Sequence, residues 1–364
     1  MLQYRTEEYR IYPDKQQAYA ICMKLDAADT AFDELAAFVN RLSAQTKDAA
    51  VVNAAIERFA PTVWMDNVEL QSVKRQVYKL SQKLLSGAIQ IILPRNRNRS
   101  VRILDVCVLR TPVEQVMING VGPVRLVLHR VLPNNAHVFR VSLKSDCCGE
   151  RLFLQYSYYF ESADVVLRPV NPAQVLGIDY KQDGLYVDSN GNSAEYPGFR
   201  QQGREKLIRY KSNTIRFKKG SRRWQKHQSR LVKYERHIQH QRADWQSKKA
   251  EELAANWDAV CQETLDFRAM IQGDPRLATK IYDNDMPSFS RRLTKKLEQQ
   301  GKRLIHVSKY YASSQICSYC GSFFGPRPLG EKVFTCPFCG LVIDRDVNAA
   351  RNIKKEGLRL MQTA

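Results

Sequence analysis

A chain of 364 residues, at ~100 to 200 residues per domain, makes two or three domains and excludes a lone peptide module. Its 57 Lys and Arg against 37 Asp and Glu leave a net charge of +20 and a pI near 9.6, a balance that calls for a polyanionic partner, nucleic acid first of all. No apolar run approaches the ~18 residues of a membrane span, and the opening MLQYRTEEYRIYPDKQQ has no apolar stretch behind a basic cluster. A cytosolic protein without a signal peptide or membrane partner is therefore expected.

The charge is unevenly placed. Residues 1–199 carry 23 basic and 21 acidic side chains, 200–256 carry 17 against 5, 257–290 carry 3 against 6, and 291–364 carry 14 against 5. Solubility charge would be dispersed, whereas a basic segment and a basic tail around an acidic patch suit a phosphate-binding channel beside a metal site.

In chain order, LQYRTEEYRIY reads as a strand ending at a Pro13-Asp14 turn. In AYAICMKLDAADTAFDELAAFVNRL, Ile21, Leu25, Phe32, Leu35 and Phe38 recur at gaps of 3, 4 or 7, which predicts an amphipathic helix or helix pair. From Gly87, the segments AIQIILP, PVRLVLHRVL, HVFRVSLKSD and RLFLQYSYYF alternate or run apolar between turn residues such as Pro133-Asn134-Asn135, and predict a small β-barrel. Cys147-Cys148 reads as a turn, since adjacent cysteines do not easily share one tetrahedral site. These two, with Cys22, Cys107 and Cys261, are expected as free thiols. Pro169 and Asn171-Pro172 mark a boundary, after which VLGIDYKQDGLYVDSNG predicts two strands joined by a short turn. Residues 200–256 read as two helices interrupted near Lys219-Gly220-Ser221. Trp224, Leu231, Ile238 and Trp245 stand at seven-residue intervals on the second, which would extend ~54 Å from about Ser221 to Asn256. Two of these four are Trp, and acidic partners are few, so the stripe is expected to pack on the domain's own sheet rather than in a coiled-coil seam.

Cys317-Ser-Tyr-Cys320 and Cys336-Pro-Phe-Cys339 form two CxxC knuckles, each followed by glycine, at Gly321 and Gly340. Such knuckles set four thiolates around Zn²⁺ at ~2.3 Å, and a closed four-cysteine site leaves no place for substrate. One structural zinc is expected, holding a ribbon too small to fold alone. Separately, Asp179 ends the strand-like VLGID, Glu263 ends WDAVCQE, and Asp346 opens the helix-like DVNAARNIKKEGLRLM. Carboxylates at the ends of three elements are the ligand type of a two-metal nuclease. Taken singly each also has an ordinary reading, because strand-end acids are common and Asp346 suits a helix N-cap.

Together, GIDYKQDGLYVDSNG, the basic helical pair, CQETLDF, SKYYASSQICSYCG, CPFCG and DRDVNAARNI resemble, in order and spacing over 171–364, the TnpB family. These are transposon-encoded, RNA-guided nucleases of the OrfB zinc-ribbon type, related to the compact type V CRISPR effectors. IYPDKQQ, a helical insert and the β-rich stretch with VRLVLHR resemble the family's recognition and wedge regions more loosely. The resemblance implies a multidomain α/β protein. It comprises a first wedge strand at 1–12, a helical recognition domain at 13–86, a β-barrel wedge domain at 87–170, and a RuvC-like domain of RNase H fold at 171–364 with the zinc ribbon inserted at about 310–343. Asp179, Glu263 and Asp346 would be the catalytic carboxylates for two Mg²⁺ ions, with Asp344 capping the helix or supporting the site. GIDYKQDG stands where GIDLG is commoner and ETL where EDL is, and neither change removes a ligand. The implied activity is RNA-guided cleavage of DNA. The implied partners are a guide RNA and a target duplex with a short adjacent motif, with one chain or a homodimer on one RNA. Arg216, Lys218, Lys219, Arg222, Arg223, Lys226 and Arg230 are the expected phosphate contacts, while Tyr310 and Tyr311 suit core packing better than base stacking. A CRISPR effector, a guided binder or repressor that does not cut, and a strand-joining transposase are the alternatives.

Overall fold

The computed structural model describes residues 2–94, 100–103, 115–146, 151–161, 166–325 and 332–363; the Cys147-Cys148 turn and Cys107 lie outside them. The chain divides into two compact units, Met1–Ala163 and Asp164–Ala364. No helix among the described residues is long and apolar enough to cross a membrane.

The first unit runs β1 (Leu2–Tyr12), α1 (Lys15–Gln45), α2 (Ala49–Arg58), α3 (Asn67–Leu85), β2 (Ser100–Ile103), β3 (Gln115–Ile118), β4 (Gly122–Leu126), β5 (His137–Ser145) and β6 (Leu152–Glu161). Its six strands form one antiparallel sheet in the order β2-β5-β6-β1-β4-β3. Period-two alternation sends Tyr9 and Ile11 of β1, and Leu154 and Tyr156 of β6, into a core shared with the helices. The Pro13-Asp14 turn is the N-terminus of α1: the Asp14 carboxylate accepts the Gln17 N–H, and the Gln17 side chain accepts the Asp14 N–H. The predicted apolar stripe, Ile21, Leu25, Phe32 and Leu35, is buried along this single helix of 31 residues. AIQIILP does not form a strand. Ile92 is buried, but its N–H and C=O both bond the Asn40 carboxamide, each at 2.9 Å, so a side chain from α1 replaces the neighbour strand.

The second unit runs β7 (Val175–Tyr180), β8 (Tyr186–Asp188), β9 (Ser193–Ala194), α4 (Phe199–Gln202), α5 (Arg204–Ile215), α6 (Arg222–Asn256), β10 (Ala259–Glu263), α7 (Phe267–Gly273), α8 (Ala278–Asn284), α9 (Met286–Gln299), β11 (Arg303–Val307), β12 (Val333–Thr335), β13 (Val342–Asp344) and α10 (Arg345–Thr363). The main sheet has the order β11-β10-β7-β8-β9, with β7, β8 and β9 antiparallel and β7, β10 and β11 parallel. This is the RNase H-type arrangement. The stripe on α6 divides between two surfaces. Leu231 and Ile238 pack against Leu207 of α5, and only beyond them do Trp245, Ala250, Leu253 and Ala254 join Ile178, Val260 and Phe289 over the sheet. Half of the seven-residue pattern is thus a helical hairpin seam, which the expectation of sheet packing missed.

Helix α10 lies against β7 and β10 where two glycines remove side chains. Cys261 and Gly177 are register partners on these parallel strands. A Cβ on Gly177 would fall 2.1 Å from the Ala350 carbonyl oxygen, and one on Gly357 would fall 2.1 Å from Cys261 Sγ. Gly177→Ala therefore forces α10 off the sheet. An overpacking cost of ~1 to 3 kcal/mol lowers the melting midpoint by roughly 2 to 10 °C, and calorimetry that finds the midpoint unchanged would contradict this packing.

Candidate active site and metal centre

The register of the two central strands places two of the acids together. Gln262 pairs with Ile178, so Glu263 and Asp179 follow side by side at the ends of neighbouring parallel strands, which lie ~4.8 Å apart. On α10, Asp346 stands one turn before Ala350, the residue that Gly177 admits to the strand. Asp179, two residues after Gly177, points to the same face. All three carboxylates, with Asp344, line one cleft of about 810 Å³. Asp344 accepts the N–H groups of Asp346 at 2.8 Å and Val347 at 3.2 Å, satisfying the first turn of α10.

Burial raises all three acids, and acidic neighbours add to it at Asp179 and Asp346. Burial, then Glu263 and Asp346, holds Asp179 well above the usual carboxylate range. Burial pushes Glu263 from 4.5 up to about 7, and burial followed by Asp344 raises Asp346. Three carboxyls whose charged forms are disfavoured until a cation arrives make, once ionised, a hard-oxygen donor set suited to divalent Mg²⁺. Below pH 7 a cation must displace the Glu263 proton, so its affinity weakens with acid. The effect on stability has a definite sign. Because the folded pKa of Glu263 exceeds its unfolded value, its contribution is full below about 4.5 and is lost as pH rises through about 7. Glu263→Gln is therefore expected to raise the melting midpoint of metal-free protein at pH 8 by ~3 °C or more and to remove most of the rise produced by Mg²⁺. Melting curves with and without the cation check both, and a lower midpoint in the variant would contradict the burial of the Glu263 charge.

Cations also line the cleft. Lys181, Lys309, Lys332 and Arg345 stand around the acids, and Lys181, Arg345 and Lys332 each offset the charge around Asp346. Sequence reasoning missed all four; Lys181 was visible only as the departure from the commoner GIDLG. Tyr311 packs against the Val175 and Ile353 cluster, but Tyr310 is 85% exposed at the cleft wall rather than in a core. Arg216, Lys218, Lys219, Arg222, Arg223, Lys226 and Arg230 are all exposed at the turn between α5 and α6 and along the first turns of α6, where Gly220 takes a positive φ of 88°. None of these seven lines the cleft.

The four cysteine sulfurs lie within 4.8 Å of one another, with Cys317 to Cys339 and Cys320 to Cys336 each at 3.6 Å. A zinc tetrathiolate with ~2.3 Å bonds has tetrahedral edges of ~3.8 Å, so the four thiols fit the metal. Gly321 and Gly340, at φ 77° and 74°, close the knuckles by donating N–H to the carbonyls of Cys317 and Cys336 at 2.9 Å each. The ribbon is tied to α10 by two buried asparagines that sequence reasoning also passed over. Asn348 accepts the Ser318 N–H and donates to the Ile316 carbonyl, both at 2.8 Å, and Asn352 donates to the carbonyls of Ser313 and Ile316 at 2.8 and 2.7 Å.

Two family models match the chain: "Probable transposase" over residues 155–273 and "Cas12f1-like, TNB domain" over residues 287–353. A "Putative RNA-guided DNA endonuclease" of Streptomyces pristinaespiralis is 30% identical over 236 residues, 65% of this chain and 57% of that protein. TnpB-like protein L79 of Acanthamoeba polyphaga mimivirus is 30% identical over 132 residues, 35% of this chain and 25% of that protein. The chain thus spans little more than half of the first relative and a quarter of the second. The solved structure of a Cas12f1-sgRNA-target DNA complex aligns over 94% of this chain and 83% of that one, with a TM-score of 0.53 at 13% identity, a likeness of fold.

Proposed function

Since the chain belongs, over residues 155–353, to the TnpB family, we propose that it is an RNA-guided DNA endonuclease whose catalytic carboxylates are Asp179, Glu263 and Asp346. The observation that carries this reading is their shared cleft at the C-terminal ends of β7 and β10. The three would hold two Mg²⁺ ions, which when bound supply charge neutralisation at the scissile phosphate and a water acidic enough to attack it. The protein's own part is positional. The paired strands fix Glu263 beside Asp179, and the glycine-mediated contact of α10 brings Asp346 to them. Lys181, Lys332 and Arg345 supply positive charge where a phosphodiester enters. A structured guide RNA would be held mainly through phosphates on the exposed α5–α6 cations, contacts that fix position and read little sequence. Pairing of the guide with one DNA strand would supply specificity, and the first unit would read the short adjacent motif.

The four-thiol ribbon would hold one structural zinc and keep the start of α10 in place. A transposon setting and a cytosolic site of action complete the proposal. The test is cleavage of a matched duplex by protein co-purified with its RNA. Mg²⁺-dependent cutting that disappears after RNase treatment is expected. Cutting that survives removal of all RNA would point instead to direct strand joining, and tight guided binding with no Mg²⁺-dependent product would point to a guided binder.

A further inference from the structure

A second basic site lies apart from the turn between α5 and α6. Arg200 of α4, Arg204, Leu207, Ile208 and Lys211 of α5, and Thr279 of α8 line a groove of about 430 Å³. None of the lining residues is acidic, and Arg200, Arg204 and Lys211 have no carboxylate partner among the described residues. The exposed face of α5 continues the pattern. Arg204, Ile208, Lys211 and Ile215 recur at helical spacing, and Ile208 and Ile215 are 53% and 83% exposed. Arg204 and Lys211 lie ~10 Å apart along the axis. The floor is fixed by Asp283 of α8, buried beneath, which accepts the Tyr196 hydroxyl at 3.0 Å and the Arg200 backbone N–H at 3.2 Å. That anchor leaves the Arg200 guanidinium available to the groove.

The groove also has a position. Lys280, next in the chain to Thr279 of the groove, pairs with Asp183, which lines the carboxylate cleft. Helix α5 itself continues to Arg216 and the basic turn.

We propose that this groove binds the sugar-phosphate backbone of single-stranded DNA, as a saddle over which the strand to be cut passes on its way to the carboxylates. Three cations offer phosphates a row of contacts, and the exposed Ile208 offers the apolar face of a deoxyribose a surface to rest on. The chemistry recognised is the phosphodiester; that the strand is the cleavage substrate rests on the nuclease reading above.

The experiment uses the full-length protein with its co-purified RNA and a labelled oligothymidylate as probe, titrated at several salt concentrations. Each single-strand phosphate contact contributes ~0.7 to the slope of log affinity against log salt, so R200Q/R204Q/K211Q is expected to lose about 2 from that slope. In cleavage it should raise KM and leave kcat unchanged, with the RNA content of the preparation unaltered. R200K/R204K, which keeps the charges, should retain the parental slope, which separates loss of charge from damage to folding. An unchanged slope in the glutamine variant overturns the proposal, as does an equal loss in the lysine variant. Loss of bound RNA with an unchanged DNA slope also overturns it and assigns the groove to the guide. If the parent protein cuts nothing, the nuclease reading fails while the salt slopes still decide the groove.

Discussion

Asp179→Asn is expected to slow target cleavage at least ~10³-fold, about 4 kcal/mol in the barrier, while binding of RNA and matched DNA persists. The substitution preserves the volume of the carboxylate and removes its charge at the end of β7, beside Glu263 and facing Asp346. The fold should not suffer. Asp179 is held well above the usual carboxylate range by burial and by its acidic neighbours, so the metal-free protein already disfavours the charge that the variant deletes. Single-turnover cleavage at saturating Mg²⁺ separates this outcome from misfolding, provided the melting midpoint is unchanged or raised. A variant that cuts as fast as its parent would remove Asp179 from the proposed site.

The second large effect concerns the ribbon. Cys336→Ser is expected to take the protein from one zinc per chain to nearly none, and to abolish cleavage as well. Structural zinc sites contribute about 10 kcal/mol or more to the small folds they hold, and Cys317 and Cys336, two of the four clustered thiols, are buried with Phe334 in the ribbon's own small core. The consequence reaches the cleft by a short path. Strand β13 ends at Asp344, which caps α10, and Asn348 and Asn352 of that helix hold the backbone at Ser313, Ile316 and Ser318. Loss of the metal therefore frees the segment that positions Asp346. Elemental analysis and a cleavage assay on the same preparation check the pair. Native protein without zinc would refute the four-thiolate assignment, and full activity in a zinc-free variant would refute the coupling.

Features written into a few adjacent residues were legible in the sequence. Two CxxC knuckles with their glycines describe a candidate metal site without help from the rest of the chain, whereas Asp179 and Glu263, taken singly, read as ordinary strand-end acids and were singled out by the family resemblance. Their approach to one another was not legible, because it depends on pairing Gln262 with Ile178 across 84 residues and on the backbone contacts that Gly177 and Gly357 permit. The same physics explains the misreadings. AIQIILP has strand composition, yet Asn40, 52 residues away, satisfies the backbone of Ile92. The seven-residue stripe on α6 is one pattern in sequence, but Leu231 and Ile238 meet α5 while Trp245 meets the sheet. Lys181, Lys309, Lys332 and Arg345 lay scattered among ordinary charges until the fold collected them around one cleft.

In the proposed function, RNA chooses where this protein cuts. Replacing the guide segment of its RNA with an unrelated sequence, and offering a duplex that matches the new guide beside the original adjacent motif, tests it directly. Mg²⁺-dependent cleavage of the new duplex and none of the old one is expected. Cleavage that stays at the old sequence, or that ignores the guide altogether, would contradict it.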